Sequence, residues 1–166
     1  MAYLTYLIDN YNSLPSTAVF LHSHRDGWPG GWHTDAAGYD NVISLRTLKI
    51  SYVQEVGYAN LRCIHIPGCP DEFQPFRDPR DPERPVEHAM PEAWSFIFGN
   101  ATAVPPVIGA ACCSQFAVSR EQILSRPLHD YKRVRDWVLQ TPLSDDDSGR
   151  VLEYLWHIIF GRDPVQ

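Results

Sequence analysis

A short apolar segment that leads directly into a capped helix constrains the fold more than any other part of the chain. The run Cys112–Gln122 reads CCSQFAVSREQ. Ser119 and Gln122 have the spacing of a capping box, in which the serine hydroxyl accepts a hydrogen bond from a free N–H of the first helical turn. The sequence therefore predicts a buried strand, Gln115–Val118, that enters a helix.

The run Ser148–Gly161, SGRVLEYLWHIIFG, predicts a second organising element, a helix over 150–160. Its apolar residues recur at helical spacing and fill most of the circumference, which is typical of a buried helix. Glu153 and His157 lie four residues apart on one side. A buried charge must be paired or must shift its pKa. The two residues therefore form either a structural ion pair or a catalytic acid and base.

Helical patterns alternate with short apolar runs in the rest of the chain, which predicts an α/β fold. The expected further helices cover residues 2–12, 40–54, 91–98 and 127–140. Thr17–Leu21 is continuously apolar after its first residue, as in a strand buried on both faces, and 59–66 is expected to be extended. The prediction is one domain over 1–166 with a small, mostly parallel sheet flanked by helices. Val19–Leu21 and Gln115–Val118 are expected to be neighbouring strands.

Residues 67–91 differ in composition from the rest of the chain, because they contain seven prolines, many charges and few aliphatic residues. Such a segment is either a long ordered loop, which could act as a lid over a site, or a disordered insert.

Composition narrows the class of protein. The 166 residues are 44% hydrophobic and 12% aromatic, as in a globular domain, and the net charge of −6 argues against a general nucleic-acid binder. No apolar run is long enough to span a membrane, and the first residues lack the pattern of a signal peptide. We expect a cytoplasmic protein that acts on a small molecule, and nothing in the pattern specifies an oligomeric state.

The run His22-Ser23-His24-Arg25-Asp26 is the strongest candidate for a metal site. On an extended strand His22 and His24 point to the same side, with Asp26 as a third ligand on that face. Mixed nitrogen and oxygen ligands suit Zn²⁺, Mn²⁺ or Fe²⁺. His33 and Asp35 in the following loop could add ligands. The alternative is a pair of histidines hydrogen-bonded to the backbone at a strand end.

The chain has four cysteines, Cys63, Cys69, Cys112 and Cys113. The adjacent pair is not expected to bridge to itself. Cys63 and Cys69 flank a Pro-Gly turn and could form a disulfide in an oxidising compartment. They could also contribute to a zinc site with His65 and one cysteine of the adjacent pair. The simplest expectation is buried thiols and loop thiols.

Four further residues are candidates for substrate binding: Arg25, Trp28, Arg62 and Gln115. Arg62 lies within a strand-like run, where its guanidinium needs an anion from this protein or from a ligand. Glycine-rich phosphate motifs and nucleophile-elbow motifs are absent from the sequence.

Five blocks together resemble a family found mainly in fungi and catalogued as a domain of unknown function: YLTYLIDNYNSLP, VFLHSHRDGW, GYANLRCIHIPGCP, CCSQFAVSREQILSRPLHDY and SGRVLEYLWHIIFG. That pattern is in turn similar to A-type glycosyltransferases. The resemblance implies that His22-Ser23-His24 stands where their acidic metal motif lies, and Glu153 near their catalytic or acceptor-binding carboxylate. It also implies that this chain is shortened at its N-terminus and lacks a nucleotide-binding portion.

Three functions remain open at this point. The first is a glycosyltransferase-like enzyme of fungal secondary metabolism, assisted by a divalent metal such as Mn²⁺ or Zn²⁺. The second is a metal-independent cyclase that folds an apolar natural-product intermediate in an aromatic pocket. The third is a non-catalytic binding protein.

Overall fold

Three short strands form the sheet at the centre of the protein, whose computed structural model describes residues 1–166. The strands are β1 (Thr17–Phe20), β2 (Tyr58–Asn60) and β3 (Phe116–Ser119), in the order β1-β3-β2. β3 is antiparallel to both neighbours, with Phe20 opposite Phe116 and Tyr58 opposite Val118. The prediction that the two apolar runs are neighbours in one sheet is confirmed, whereas the prediction of a mostly parallel sheet is wrong.

The burial of the outer strand β1 explains why the direction of pairing was mispredicted. Its residues alternate between half-buried and buried, with Ala18 and Phe20 facing the core, although the sequence TAVF shows no such alternation. All four residues of β3 are buried. An antiparallel sheet with one well-covered face produces the alternation seen in β1. A short apolar run therefore indicated burial correctly and pairing direction wrongly.

Eight helices surround the sheet. They are α1 (Ala2–Asp9), α2 (Asn41–Thr47), α3 (Ile50–Val56), α4 (Pro85–Phe98), α5 (Arg120–Leu124), α6 (Leu128–Gln140), α7 (Asp145–Glu153) and α8 (Trp156–Ile159). α4 packs against α6 and α7, and α1 packs against α6. The predicted helix over 40–54 is two helices, and the predicted helix over 91–98 begins at Pro85. The helices are all too short or too polar to cross a membrane.

Phe116, at the start of β3, is the centre of an aromatic core. Its ring centroid lies 5.0 Å from that of Phe20, 5.3 Å from that of Tyr58 and 5.4 Å from those of Trp156 and Phe160. Such ring pairs add to the free energy gained from burial alone. The core therefore fixes the first residue of β3, and with it the position of the polar segment that precedes it.

The predicted buried helix over 150–160 is interrupted after Glu153, and the prediction of one continuous helix is wrong. The Leu155 N–H donates to the carbonyl of Leu152, a three-residue step that tightens the turn, and α8 then begins at Trp156. Tyr154 packs against Phe73 with a centroid distance of 4.4 Å, whereas Trp156 packs against Phe116. The break allows successive bulky side chains to reach different parts of the core.

Hydrogen bonds to one buried carboxylate fix the proline-rich segment before α4. Glu87 accepts hydrogen bonds from Arg77 at 2.7 and 2.9 Å and from the Gln74 N–H at 2.8 Å. These charge-assisted contacts hold the pKa of Glu87 below its usual value, against the opposing effect of burial. Residues 74–77 are thereby attached to the first turn of α4, and a lid function of this segment stays a prediction.

Candidate functional site

The candidate site lies where β1 ends and β3 begins, because the antiparallel pairing of Phe20 with Phe116 brings the residues beyond them together. The buried side chain of Gln115 joins the two segments. Its Oε1 accepts from the His22 N–H at 3.1 Å, and its Nε2 donates to the carbonyl of His33 at 3.2 Å. Gln115 thus connects β3 to the two loops that carry the histidines, and its role in substrate binding stays a prediction.

Three imidazoles meet at this position. His22, His24 and His33 each offer a ring nitrogen, and these atoms all lie within 4.8 Å of one another. The centroid of the His33 ring lies 4.1 Å from that of His22 and 4.4 Å from that of His24. The Nε2 atoms of His24 and His33 are buried and have no hydrogen-bond partner. Buried polar atoms without a partner are costly and rare, so these two nitrogens are the clearest indication of a ligand.

The His33 ring is held in its neutral form. Burial, followed by the positive charges that His22, His24 and Arg62 can carry, lowers its pKa to about 4. A neutral imidazole offers a lone pair, which is the form that binds a metal ion. At neutral pH His33 therefore carries one ring proton and keeps one nitrogen lone pair free.

Asn41, which begins α2, fixes the loop that carries His33. Its amide donates to the His24 carbonyl at 2.9 Å and accepts from the Thr34 hydroxyl at 2.7 Å. A close turn lies within the same loop, where a Cβ on Gly31 would lie 2.9 Å from the carbonyl oxygen of Gly27. These contacts place His24 and the His33–Thr34 dipeptide side by side independently of the histidine side chains.

Asp26 lies outside the histidine group. Its carboxylate is half exposed and is 3.4 Å from the guanidinium of Arg25. The structure thus brings together His22 and His24, as their spacing predicts, and supplies the third imidazole from the loop rather than a carboxylate from the strand end. Asp35 is used elsewhere, because its Oδ2 accepts hydrogen bonds from the N–H groups of Cys63 and Ile64.

Glu153, the last residue of α7, is partly buried and accepts a hydrogen bond from the Cys113 N–H at 2.8 Å. An open cavity of about 650 Å³ is lined by Glu153 and His22 together with Ser114 and Arg150. Glu153 therefore opens onto the same cavity as His22. Ser114 and Arg150 are lining residues that the sequence pattern did not single out.

His157 lies apart from Glu153 because the helix breaks between them. It is fully buried, its Nε2 is 3.0 Å from the carbonyl oxygen of Pro164, and burial lowers its pKa to about 4. No ion pair joins it to Glu153, so the structural pair considered from the sequence does not form. Its position in the core gives it no access to the cavity that Glu153 lines.

The adjacent cysteines form a disulfide, Cys112–Cys113, contrary to the sequence-based expectation. The backbone conformation that permits this bond has positive φ values at Cys113 (86°) and Ser114 (50°), which non-glycine residues rarely adopt. Cys63 and Cys69 are free thiols. Once Cys112 and Cys113 are reduced, their sulfurs and a Glu153 oxygen would form a second group within 4.8 Å.

The remaining predicted substrate-binding residues divide by exposure. The Arg25 side chain is 75% exposed, and Trp28 is 72% exposed with its ring 5.9 Å from that of Tyr39. Arg62 is buried, lies 5.0 Å from the centre of the Trp32 ring and contacts Asp35 and the disulfide sulfurs. Arg62 thus has partners within the protein, and Arg25 and Trp28 are open to solvent.

One comparison with known proteins returns a match. A family model described as a protein of unknown function (DUF3431) matches residues 1–166. The chain belongs to this family. No curated protein and no solved structure gives a significant match. Membership in DUF3431 brings no assigned activity, so a function for the chain has to be argued from the histidine cluster and its surroundings.

Proposed function

We propose that this protein is an enzyme that uses a divalent transition-metal ion to assist group transfer involving a polar small molecule. The ion is held by His22, His24 and His33, and Glu153 is the acid or base. The observation that carries the proposal is the convergence of three imidazoles, two of which have a buried Nε2 without a partner. A glycosyl group is the transferred group that the sequence resemblance suggests, in fungal small-molecule metabolism.

The ligand set fits a catalytic rather than a structural site. Catalytic zinc is held by three protein ligands and keeps one position for water or substrate, whereas structural zinc has four protein ligands. Tetrahedral zinc with bonds of about 2.0–2.1 Å separates its nitrogens by roughly 3.4 Å. The three ring nitrogens lie within 4.8 Å of one another, so small side-chain rotations would close the site.

The partners around the imidazoles support a metal-bound state. His22 Nε2 is 2.6 Å from the Cys113 carbonyl oxygen, an arrangement in which Nε2–H donates and Nδ1 is left for the ion. Metal-ligating histidines commonly donate their second ring N–H to a carbonyl in this way, which fixes the tautomer. His24 and His33 would use their unpartnered Nε2 atoms.

Glu153 has the position of a proton acceptor in such a site. It lines the cavity that His22 also lines, and its Oε1 is held by the Cys113 N–H. A bound metal ion would supply Lewis-acid stabilisation of negative charge on the substrate. Glu153 would take the proton from the attacking hydroxyl group, and the Arg150 guanidinium in the same cavity would attract an anionic part of the substrate.

The character of the cavity favours this function over the cyclase. Its lining includes the charged side chains of Asp145, Asp146, Arg150 and Glu153, and it is open to solvent. A cyclase that folds an apolar intermediate requires an enclosed, mostly apolar pocket. A polar substrate is therefore the better match.

Calorimetry with Zn²⁺, Mn²⁺ and Co²⁺ tests the metal site. We expect one ion per chain, and a loss of at least about 100-fold in affinity in His24→Ala, since even outer partners of metal ligands contribute about 10–100-fold. The exposed His65 provides the matched control, His65→Ala, which should bind as the wild type does. Equal affinity of His24→Ala and the wild type, or no binding to either, would contradict the proposal.

A further inference from the structure

We propose that Cys112–Cys113 is a reversible thiol–disulfide redox site whose reduced form is stabilised by the guanidinium of Arg62. The co-reactant is a small or protein dithiol. This inference concerns chemistry separate from the histidine cluster and does not depend on a bound metal ion.

Arg62 is a buried cation that lacks a full set of anionic partners. Its side chain is 6% exposed, and its nearest carboxylate is Asp35, whose Oδ1 is 3.7 Å from Nε. That distance is too long for a hydrogen bond, and Nε has no other partner. The other carboxylate oxygen of Asp35 is engaged by two backbone N–H groups. Burial of a charge is costly unless that charge is paired and hydrogen-bonded.

One terminal nitrogen of Arg62, Nη1, points at the two sulfurs. Nη1 lies 2.9 Å from Cys112 Sγ and 3.3 Å from Cys113 Sγ. A disulfide sulfur is neutral and a weak acceptor, whereas a thiolate in the same place would form a charge-assisted hydrogen bond. A nearby arginine stabilises the thiolate form of cysteine. The contact with Arg62 therefore favours the reduced pair over the disulfide, and it acts against the carboxylate of Glu153, which lies within 4.8 Å of the sulfurs.

The turn that carries the two cysteines is held by contacts outside the disulfide ring. The Cys113 N–H donates to Glu153, the Cys113 carbonyl lies against His22, and the Asn60 amide donates to the Ala111 carbonyl at 3.0 Å. These contacts remain when the sulfur–sulfur bond opens. The two thiols would then stay close together, so the pair can close again, as a reversible site requires.

The exchange step balances as follows in atoms and electrons. A thiolate of the dithiol attacks Cys113 Sγ, the sulfur–sulfur bond breaks, and its electron pair remains on Cys112 Sγ, which lies nearer to Arg62. The second thiol of the reductant then attacks the reductant's first sulfur, which is bonded to Cys113 Sγ in the mixed disulfide, and Cys113 is released as a thiol. The reductant becomes a cyclic disulfide; one proton ends on Cys113 and one in solvent.

The two sulfurs lie in residues that are slightly exposed to solvent. Cys112 and Cys113 are 6% and 7% exposed, and the next residue, Ser114, lines the open cavity of about 650 Å³. A small dithiol such as dithiothreitol is therefore the probe to use. In a Cys63→Ser/Cys69→Ser background, the adjacent pair is the sole source of thiols, so alkylation and mass measurement count its redox state directly.

The test is an equilibrium titration of the folded Cys63→Ser/Cys69→Ser variant with mixtures of reduced and oxidised dithiothreitol. We expect reversible two-electron reduction with the circular dichroism of the fold retained. Arg62→Met should lower the equilibrium constant for reduction by at least about tenfold, or about 30 mV, because the reduced pair loses its cationic partner. Arg46→Met, which changes an exposed arginine, is the matched control and should leave the constant unchanged.

Asp35→Asn supplies a result of opposite sign and does not depend on the folding of Arg62→Met. Removing this carboxylate leaves more of the positive charge of Arg62 without a counter-ion. A thiolate on the reduced pair would supply that counter-ion, so reduction should become several-fold more favoured. Reduction that occurs only on unfolding would overturn the proposal. So would an equilibrium constant that is the same in the Asp35→Asn variant and its parent.

Discussion

His33 and His157 are two buried histidines with the same electrostatic signature and different surroundings. Burial is the main cause that lowers the pKa of each to about 4. His157 is fully buried, with one partner, the Pro164 carbonyl, and an Nδ1 without a partner. His33 has two further imidazoles beside it and an Nε2 without a partner. A lowered pKa therefore does not by itself distinguish a functional histidine from a core histidine.

The difference between the two residues lies in how many ligand atoms surround each ring. The backbone carbonyl of Pro164 accepts a hydrogen bond from the single N–H of a neutral His157, and the buried Nδ1 of that ring has no partner. His33 likewise has an unpartnered Nε2, but the ring nitrogens of two other imidazoles lie within 4.8 Å of its own. An external electron-pair acceptor beside His33 would therefore meet three imidazole nitrogens, whereas beside His157 it would meet one.

The largest expected effect is the acid sensitivity that His157 confers. Its pKa of about 4 in the folded state lies below the usual 6.5, so the unfolded chain binds the proton more tightly. This contribution to stability is fully present above about pH 6.5 and is lost as the pH falls towards 4, by about 3 kcal/mol in total. Urea unfolding of wild type and His157→Gln between pH 7 and 4 measures it. Parallel pH profiles of the two proteins would disprove this assignment.

Metal affinity should depend on His33 and not on His157. His33→Gln should weaken Zn²⁺ binding by at least about 100-fold, or roughly 2.7 kcal/mol, because one of three ligands is lost. His157→Gln keeps a donor for the Pro164 carbonyl and should change the affinity by less than about twofold. Calorimetry on both variants makes the comparison. If the two variants bind equally, the functional distinction between His33 and His157 fails.

Gln115 and Gln122 offer a smaller test of the same contrast. Gln115→Leu leaves the His22 N–H and the His33 carbonyl without their partner, so we expect about 1–3 kcal/mol of destabilisation and a roughly tenfold weaker Zn²⁺ affinity. Gln122→Leu removes a hydrogen bond to the Phe160 carbonyl and should destabilise without affecting zinc. Thermal unfolding and calorimetry measure the two effects. A Gln122→Leu protein with equally weakened zinc binding would show that the loss reflects general destabilisation.

The smallest expected effect is a coupling between the disulfide and the histidines through the Cys113 carbonyl, which lies 2.6 Å from His22 Nε2. Reduction of the pair, followed by removal of the reductant under nitrogen, should change the Zn²⁺ affinity of the histidine cluster by roughly threefold, below the effect of losing an outer partner. Zinc bound by the reduced sulfurs and Glu153 is measured separately in His24→Ala. His157 contacts neither cysteine, so its pH profile should not respond. A Cys112→Ala/Cys113→Ala protein is the control, and it should show no response to the reductant.

Sequence patterns located the parts of the site that lie on regular structure. The alternation of His22 and His24 at a strand end predicted their shared side, because side-chain direction on a strand has a period of two. Ser119 caps α5 as its spacing predicts, with a 3.1 Å hydrogen bond from the Gln122 N–H. Each of these features depends on a few consecutive residues, which is the range over which local rules hold.

Features that depend on distant contacts were not predictable in this way. His33 reaches the cluster because Asn41 joins its loop to His24 across 17 residues and Gln115 holds its carbonyl across 82. The disulfide requires positive φ values at Cys113 and Ser114, and neither position is a glycine that would indicate such a conformation from the sequence. The break after Glu153 contains neither glycine nor proline, and it results from the packing of Tyr154 and Trp156 against separate partners.

The pairing of Phe20 with Phe116 limits which length changes the chain can tolerate. One residue separates Phe20 from His22, and two separate Phe116 from Cys113. Because a shift of one residue along a strand exchanges its two faces, a single insertion or deletion in either stretch would turn His22 or Gln115 away from the cluster. Loops tolerate such changes far better. Variation in chain length compatible with this fold should therefore fall outside 20–24 and 112–116, with the loop before α4 as one place able to absorb it.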